Sequence, residues 1–448
     1  MDVTENPADA SAPVQAMAPS LTRGAFHLRS FAGDAGLIAG GALLANAFNY
    51  GYHFALSRKL GPNDYGSLVT LIAIASIVGV LASSVSIVAM QECARMWAAL
   101  RDERIPIFVR CVGPVAAGIG AVAGAGTLLA SVALAPYVHI VRTSLWLIFA
   151  AYVAIGIYSG FVRGAAQGAH RFALFSGSLV GEAVVKLVLG VAFVTSGLRV
   201  GGAVAALALG SVAGIAIVLP PLAAGGRSAR HERAHLELGG ETLRVLYLTV
   251  ASTALLFIDV IFAKHHLSGV AAGYYAAAGT IARTIPFAAG FIGIVLMPKA
   301  AAARHASRES LGRLLALTVG LTAAFAVVGM GLMFVFPEAL LRVTFGPAFV
   351  KAAPLLRLYG VNATLFALYG IGLNYLVATR EYGVGAYLAG AVVVEAVVMA
   401  LFGNTPVRLL TTAIAVNAAL IPIFAWFLAR SLRVAPQATG PLAAEATK

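Results

Sequence analysis

Four charged side chains, Glu182, Lys186, Arg283 and Glu395, lie deep inside long apolar runs. Each lies roughly nine to thirteen residues inside its run, or ~14–20 Å along a helix. Facing lipid at the centre of a bilayer, each would cost about 2.5–3.5 kcal/mol. The four together approach the stability of a whole protein, around 10 kcal/mol. They must therefore face a polar interior. Glu182 and Lys186 are an i,i+4 pair and meet on one face of a helix. They form either a structural pair that neutralises itself or a cationic site whose charge Glu182 tunes. Arg283 has no acid within its own turn, and Pro286 just beyond it breaks the helix. Its guanidinium pairs with a neighbouring helix or offers the planar fork that suits bidentate phosphate binding. Lys186 belongs to the first half of the chain and Arg283 to the second, so together they would clamp an anion between the halves.

Other polar residues in the apolar runs extend the set. Asp259 sits close to a span end, where it pairs with Lys264 or His265 or serves protonation coupling. Glu395 has no local partner and is a candidate for coupling to a proton or cation. Asn46 and Asn49 line the cavity or bond to a neighbouring helix. Arg163 is expected to snorkel to the interface. His265 and His266 are adjacent, a poor geometry for one metal ion, and are expected to be solvated.

The elements that must position these groups follow from composition. Of 448 residues, 60% are hydrophobic and only 11% charged, with mean hydropathy +0.90. A soluble domain carries about a quarter charged residues. Apolar stretches of about 20 residues, the length of a transmembrane helix, recur along the chain. In lipid such segments must be helical to satisfy their own backbone. We read an all-α polytopic membrane protein with twelve spans: 35–57, 67–90, 108–132, 144–166, 173–195, 200–222, 243–264, 271–297, 312–336, 353–377, 382–402 and 408–430.

Residues 1–33, Pro- and Ala-rich with acidic side chains, read as a disordered cytoplasmic tail, and 432–448 as a cytoplasmic tail. With both termini inside, the 31 Lys and Arg favour the inner loops by roughly two to one. This accounts for much of the +13 net charge and removes any need for a nucleic-acid partner. Trp97, Trp146 and Trp426 fall near span ends, as indoles prefer. Cys93 and Cys111 map to cytoplasmic ends and are expected to be small buried thiols.

The charged loop "GGRSARHERAHLELGGE" divides the spans six and six. The domains are then a six-helix bundle at 34–222, a linker at 223–242 and a second bundle at 243–431. The polar turn after the first span, Leu60 to Tyr65-Gly66, has a counterpart after the seventh, Leu267 to Gly273-Tyr274. "RGAAQGAHRFAL" after the fourth is echoed by "NYLVATREYGVG" after the tenth, and "LAPYV" by "VFPEA". An even number of spans per half gives both the same orientation, related by a pseudo-two-fold axis along the membrane normal.

With these turns in view, the chain resembles the polysaccharide-export and O-antigen flippases of the multidrug/oligosaccharidyl-lipid/polysaccharide exporter superfamily. "ALSRKLGPNDYGSLVTL" is similar to that family's first outer turn at Leu60, Gly61, Pro62, Tyr65 and Gly66. Gly164, Gln167 and Gly168 resemble its Gly-x-x-Gln-Gly segment after helix four. Asp259, Gly273, Tyr274 and Arg283 fall in a stretch resembling helices seven and eight. Before helix ten, Phe349 replaces the family's tyrosine. The likeness spans most of 35–430.

The resemblance implies a flippase of the bacterial cytoplasmic (inner) membrane that carries a polyprenyl-pyrophosphate-linked oligosaccharide by alternating access, without a cofactor. Its expected contacts are membrane lipids, a coupling H+ or Na+, and other polysaccharide-assembly proteins docking on the 225–241 loop. The alternative is a multidrug/cation antiporter of the same superfamily. Such exporters often rely on an acid within helix one, where this chain offers only Asp34 at the very edge. No Walker sequence, His-Glu-x-x-His or Gly-x-Ser-x-Gly occurs. The loop after span two lacks the Gly-x-x-x-Asp-Arg-x-Gly turn of major-facilitator carriers. A membrane glycosyltransferase, polymerase or ligase would need a large outer loop with paired carboxylates.

Overall fold

The computed structural model describes residues 28–224, 240–290 and 308–434. Most of the expected tails and of the linker lies outside the described residues, while 28–33 and 432–434 are helical. The described chain is helical: α1 Leu28–Val78, α2 Val80–Ala98, α3 Ile105–Tyr137, α4 Thr143–Gly168, α5 Phe172–Phe193, α6 Arg199–Ala223, α7 Gly240–His266, α8 Gly269–Ala282, α9 Arg308–Val335, α10 Pro337–Thr344, α11 Ala353–Ala378, α12 Gly385–Phe402 and α13 Pro406–Val434.

By length and hydropathy, eight helical tracts are long and apolar enough to cross a membrane. That number undercounts the spans, because one of the eight, 172–223, doubles back, and the bent tract 36–98, which also doubles back, is not among them. Gly61 breaks α1 at φ 70°, ψ 174°, a conformation essentially reserved for glycine. His53 Nδ1 then lies 3.0 Å from Tyr65 Oη, twelve positions on, a separation that would be ~18 Å in a straight helix. The polar turn at 58–66 is thus a hairpin, as the repeat predicts. Its second arm continues through a 41° bend into α2. Gly197, at φ 92°, likewise separates α5 from α6. A Cβ on Gly210 of α6 would touch Cβ of Lys186 on α5 at 3.0 Å, so these two helices are antiparallel neighbours.

Two lobes result, α1–α6 and α7–α13. One core fills the first lobe and another the second, while a third joins Tyr65, Val69 and Ala73 of the first hairpin to α8, α10 and α11. Outward faces stay apolar: Val122, Leu129 and Val132 of α3 are 74–79% exposed, a surface that needs lipid.

The loops sort to two ends as an even-span topology requires. At the Gly61 end, Arg58 reaches the Val343 carbonyl, Asp64 pairs with Arg199 at 2.7 Å, and His265 bonds the Tyr137 carbonyl at 2.8 Å. His265 therefore stacks on Tyr137 and bridges the lobes, contrary to the expectation of a solvated side chain. At the far end, Trp97 stacks on His170, and Glu241 pairs with Arg380 at 2.7 Å.

The internal repeat is visible in detail. Gly66 and Gly273, equivalent by their matching distance from Leu60 and Leu267, pack directly on each other: a Cβ on Gly66 would sit 3.0 Å from the Gly273 nitrogen. Equivalent residues can touch in this way only near the axis relating the halves. Phe349 fits against both turn tyrosines, Tyr65 and Tyr274, at 5.7 and 6.4 Å. The echoed segments after spans four and ten also end alike. His170 and Arg380 take φ of 56° and 62°, and the Arg171 and Glu381 N–H groups donate back five residues to the Ala166 and Leu376 carbonyls. This is the Schellman helix end. The third echo fails: "VFPEA" opens the short α10, whereas "LAPYV" closes α3.

Trp97 and Trp146 sit at helix ends, Trp146 bonding the Ile140 carbonyl. Both cysteines are free, but Cys111 is exposed on the outer face of α3, where only Cys93 meets the expectation of burial.

Candidate functional site

Between the lobes lies a cavity of about 260 Å³, walled by both arms of α1 and by α5, α7 and α8. Asn46, Asn49 and His53 recur at helical spacing on one face of the first arm and line it together. Lys186 enters from α5, and Thr280 and Arg283 from α8. Of the five residues predicted to bind substrate, four therefore meet: Lys186, Arg283, Asn46 and Asn49. Glu182 does not.

Glu182 belongs instead to a smaller cavity of about 190 Å³ inside the first lobe, with Arg163, Ser159 and Ser211. Arg163 bonds its carboxylate, and also Ser178 Oγ at 2.9 Å. This corrects two expectations. Glu182 pairs across helices and not along α5 with Lys186, and Arg163 turns inward to it instead of snorkelling. Lys186 is left with its ammonium 5.3 Å from the centre of the Tyr52 ring, a cation–π contact.

Arg283 is not a free guanidinium. The helix breaks at Arg283, one turn before the Pro286 that cannot continue the bonding pattern. From that break Nη2 meets Asp259 Oδ1 at 2.9 Å and Nε meets the Leu256 carbonyl at 2.9 Å. The rings of Phe257 and Tyr359 cover it at 4.9 and 5.6 Å. Asp259 accepts further bonds from Tyr275, at 3.1 Å, and from Tyr359. Arg283 and Asp259 are only 5% and 2% exposed. Asp259 therefore answers Arg283, not Lys264 or His265 as expected.

Glu395 is fully buried on α12, and neither carboxylate oxygen has a hydrogen-bond partner. A carboxylate placed this way needs a proton or a cation as its partner. Among the described residues no group of three or more His, Cys, Asp or Glu side chains is arranged to hold a metal ion.

His53 and Thr280 escaped the sequence reading, and Tyr65 entered it only as a turn residue. They form a polar chain across the lobes, His53 to Tyr65 at 3.0 Å and Tyr65 to Thr280 at 3.2 Å. The available signal was a histidine inside an apolar span, one turn beyond Asn49.

No protein-family model and no curated protein matches the chain. Solved structures do. An inward-facing multidrug resistance MATE family transporter of the MOP superfamily superposes with TM-score 0.64 at 13% identity, over 90% of this chain and 100% of its own. An outward-facing MATE family transporter gives 0.60 at 15%, over 89% and 96%. A MOP superfamily transporter from Pyrococcus furiosus, described by the reverse polarity of its binding pocket, gives 0.55 at 14%, over 89% and 95%. The chain thus has the two-lobed helical fold of the MATE transporters of the MOP superfamily.

Proposed function

We propose that this chain is a flippase carrying an anionic, polyprenyl-pyrophosphate-linked oligosaccharide across the bacterial cytoplasmic membrane by alternating access. The observation that carries this reading is the charge of the inter-lobe cavity: its described lining includes Lys186, Arg283 and His53 and no carboxylate. Asp259 stands behind Arg283 and cancels its charge, so Lys186 is the main attractant for a phosphate. Asn46 and Asn49 supply neutral hydrogen bonds for sugar hydroxyls. The cavity is smaller than most drug-sized pockets, which begin near 300 Å³. It suits the pyrophosphate and first sugar, while the lipid tail stays in the bilayer and later sugars follow as the lobes part.

Glu395 is the candidate for proton coupling, since an unpartnered carboxylate in the second lobe can take up and release a proton as that lobe moves. Asp259, already held by three side chains, has a positioning role. A multidrug antiporter is the second reading. It is favoured by the fold-mates described as multidrug transporters and by Tyr50, Phe257 and Phe287, whose rings in the cavity wall would hold a planar cation.

A lipid profile by mass spectrometry, with and without the protein, separates the two. A polyprenyl-pyrophosphate oligosaccharide that accumulates on depletion supports the flippase and identifies the glycan. Unchanged lipids together with altered drug sensitivity would move the assignment to the antiporter.

A further inference from the structure

We infer that Arg163, which does not line the inter-lobe cavity, is the positioning residue that makes that cavity anion-selective, by holding Glu182 away from Lys186. The inference deepens the proposed function and rests on it. Glu182 and Lys186 are one turn apart on α5, a spacing at which a carboxylate and an ammonium pair readily. In this protein they do not. Glu182 points into the pocket inside the first lobe, and Lys186 into the cavity between the lobes.

What separates them is a clamp from α4. The Arg163 guanidinium bonds the Glu182 carboxylate, Ser178 Oγ at 2.9 Å and the Ser178 carbonyl at 3.4 Å, spanning a full turn of α5. Room for it comes from Gly214 of α6, where a Cβ would approach Nη2 to 2.6 Å. Burying an arginine to neutralise Glu182 is costly when Lys186 stands ready to do so. The arrangement is explained if its product is a Lys186 with no carboxylate in direct contact. Without the Arg163 charge, Glu182 would turn to Lys186 and the cavity would lose its attractant.

The test uses the purified full-length chain in detergent, as wild type, Arg163→Gln, Arg163→Lys and the double variant Arg163→Gln/Glu182→Gln. Contact between Glu182 and Lys186 is read with dicyclohexylcarbodiimide. The reagent activates the carboxyl, the lysine amine attacks, the corresponding urea leaves, and an amide cross-link within one peptide is detected by mass spectrometry. Arg163→Gln should yield the 182–186 cross-link, and wild type and Arg163→Lys should not.

Binding of inorganic pyrophosphate, by calorimetry, should weaken roughly tenfold or more in Arg163→Gln, the scale of one charge-assisted contact. It should return to within about threefold of wild type in the double variant, where nothing competes for Lys186. A merely structural Arg163 would leave the double variant as weak as the single one, and that result overturns the inference. So does absence of the cross-link in Arg163→Gln, or unchanged pyrophosphate affinity when the cross-link is present. If wild type fails to bind pyrophosphate while the cross-link pattern holds, the charge partition stands and the anionic cargo falls.

Discussion

Each lobe buries an arginine against a carboxylate, and the two treat that pair in opposite ways. In the second lobe Arg283 and Asp259 are sealed, 5% and 2% exposed, with two tyrosines, a backbone carbonyl and two aromatic faces completing the node. In the first, Arg163 and Glu182 remain 17% and 20% exposed, border a cavity, and leave Lys186 without a carboxylate partner. A charge in the membrane interior therefore does not mark function by its presence. What matters is whether its surroundings already satisfy it. The sealed node holds the second lobe's architecture; the lysine is the one that faces the cavity between the lobes.

The contrast can be broken at several points. Asp259→Asn should be the most damaging change. It strands a buried guanidinium, at a cost of about 3–5 kcal/mol. Thermal unfolding followed by circular dichroism would register this, and Glu182→Gln should cost clearly less because its pair is partly open. Equal losses would erase the distinction between the lobes.

Lys186→Ala should leave unfolding nearly unchanged while reducing pyrophosphate affinity by roughly 10- to 100-fold, the range for a charge-assisted hydrogen bond. Arg283→Lys, which keeps the charge beside Asp259, should reduce it much less. Were Arg283→Lys the more harmful of the two, the attractant would have to be reassigned to the second lobe.

Glu395→Gln sharpens the comparison within the second lobe. The amide preserves shape and abolishes proton uptake, so transport into vesicles should lose its response to an imposed pH gradient with little change in folding. A retained response would exclude Glu395 as the coupling group.

The smallest effect concerns His170, at the far end of the first lobe. Partial desolvation in the stack with Trp97 pushes its imidazole below the ordinary value, so the folded chain binds fewer protons there than the unfolded one. Its contribution to stability is complete above the free-imidazole range, near ~6.5, and is lost as the pH falls through the lower folded value. His170→Phe keeps the stack and should flatten that slope in melting curves recorded from pH 7 to 5.

Much of this was legible in the chain itself. Span number, the hairpin at Gly61 and the equivalence of Gly66 with Gly273 follow from apolar run lengths and turn residues, which are local properties. Asn46, Asn49, Lys186 and Arg283 converge because polar residues avoid lipid and the space between the lobes is the interior that both halves share. The pairings were not legible. Arg283 finds Asp259 from the next helix, and Arg163 crosses from α4 to α5, because rotation of each helix about its own axis decides which neighbour is met. The i,i+4 rule gave Glu182 to Lys186, and a longer side chain from the adjoining helix outcompeted it. Cys111 illustrates the same limit, since depth in the membrane can be read from position but orientation toward lipid cannot.

The contact of Gly66 with Gly273 has a mechanical consequence. It is backbone against backbone at the end of the molecule where the lobes are bridged, with no side chain between the two glycines. It can act as a fulcrum, and a span's length of ~30 Å is the lever arm. A tilt of only about 10° would then part the lobes by ~5 Å at the far end, one helical pitch. Two hydrogen atoms in place of methyl groups are what let the two turns approach so closely.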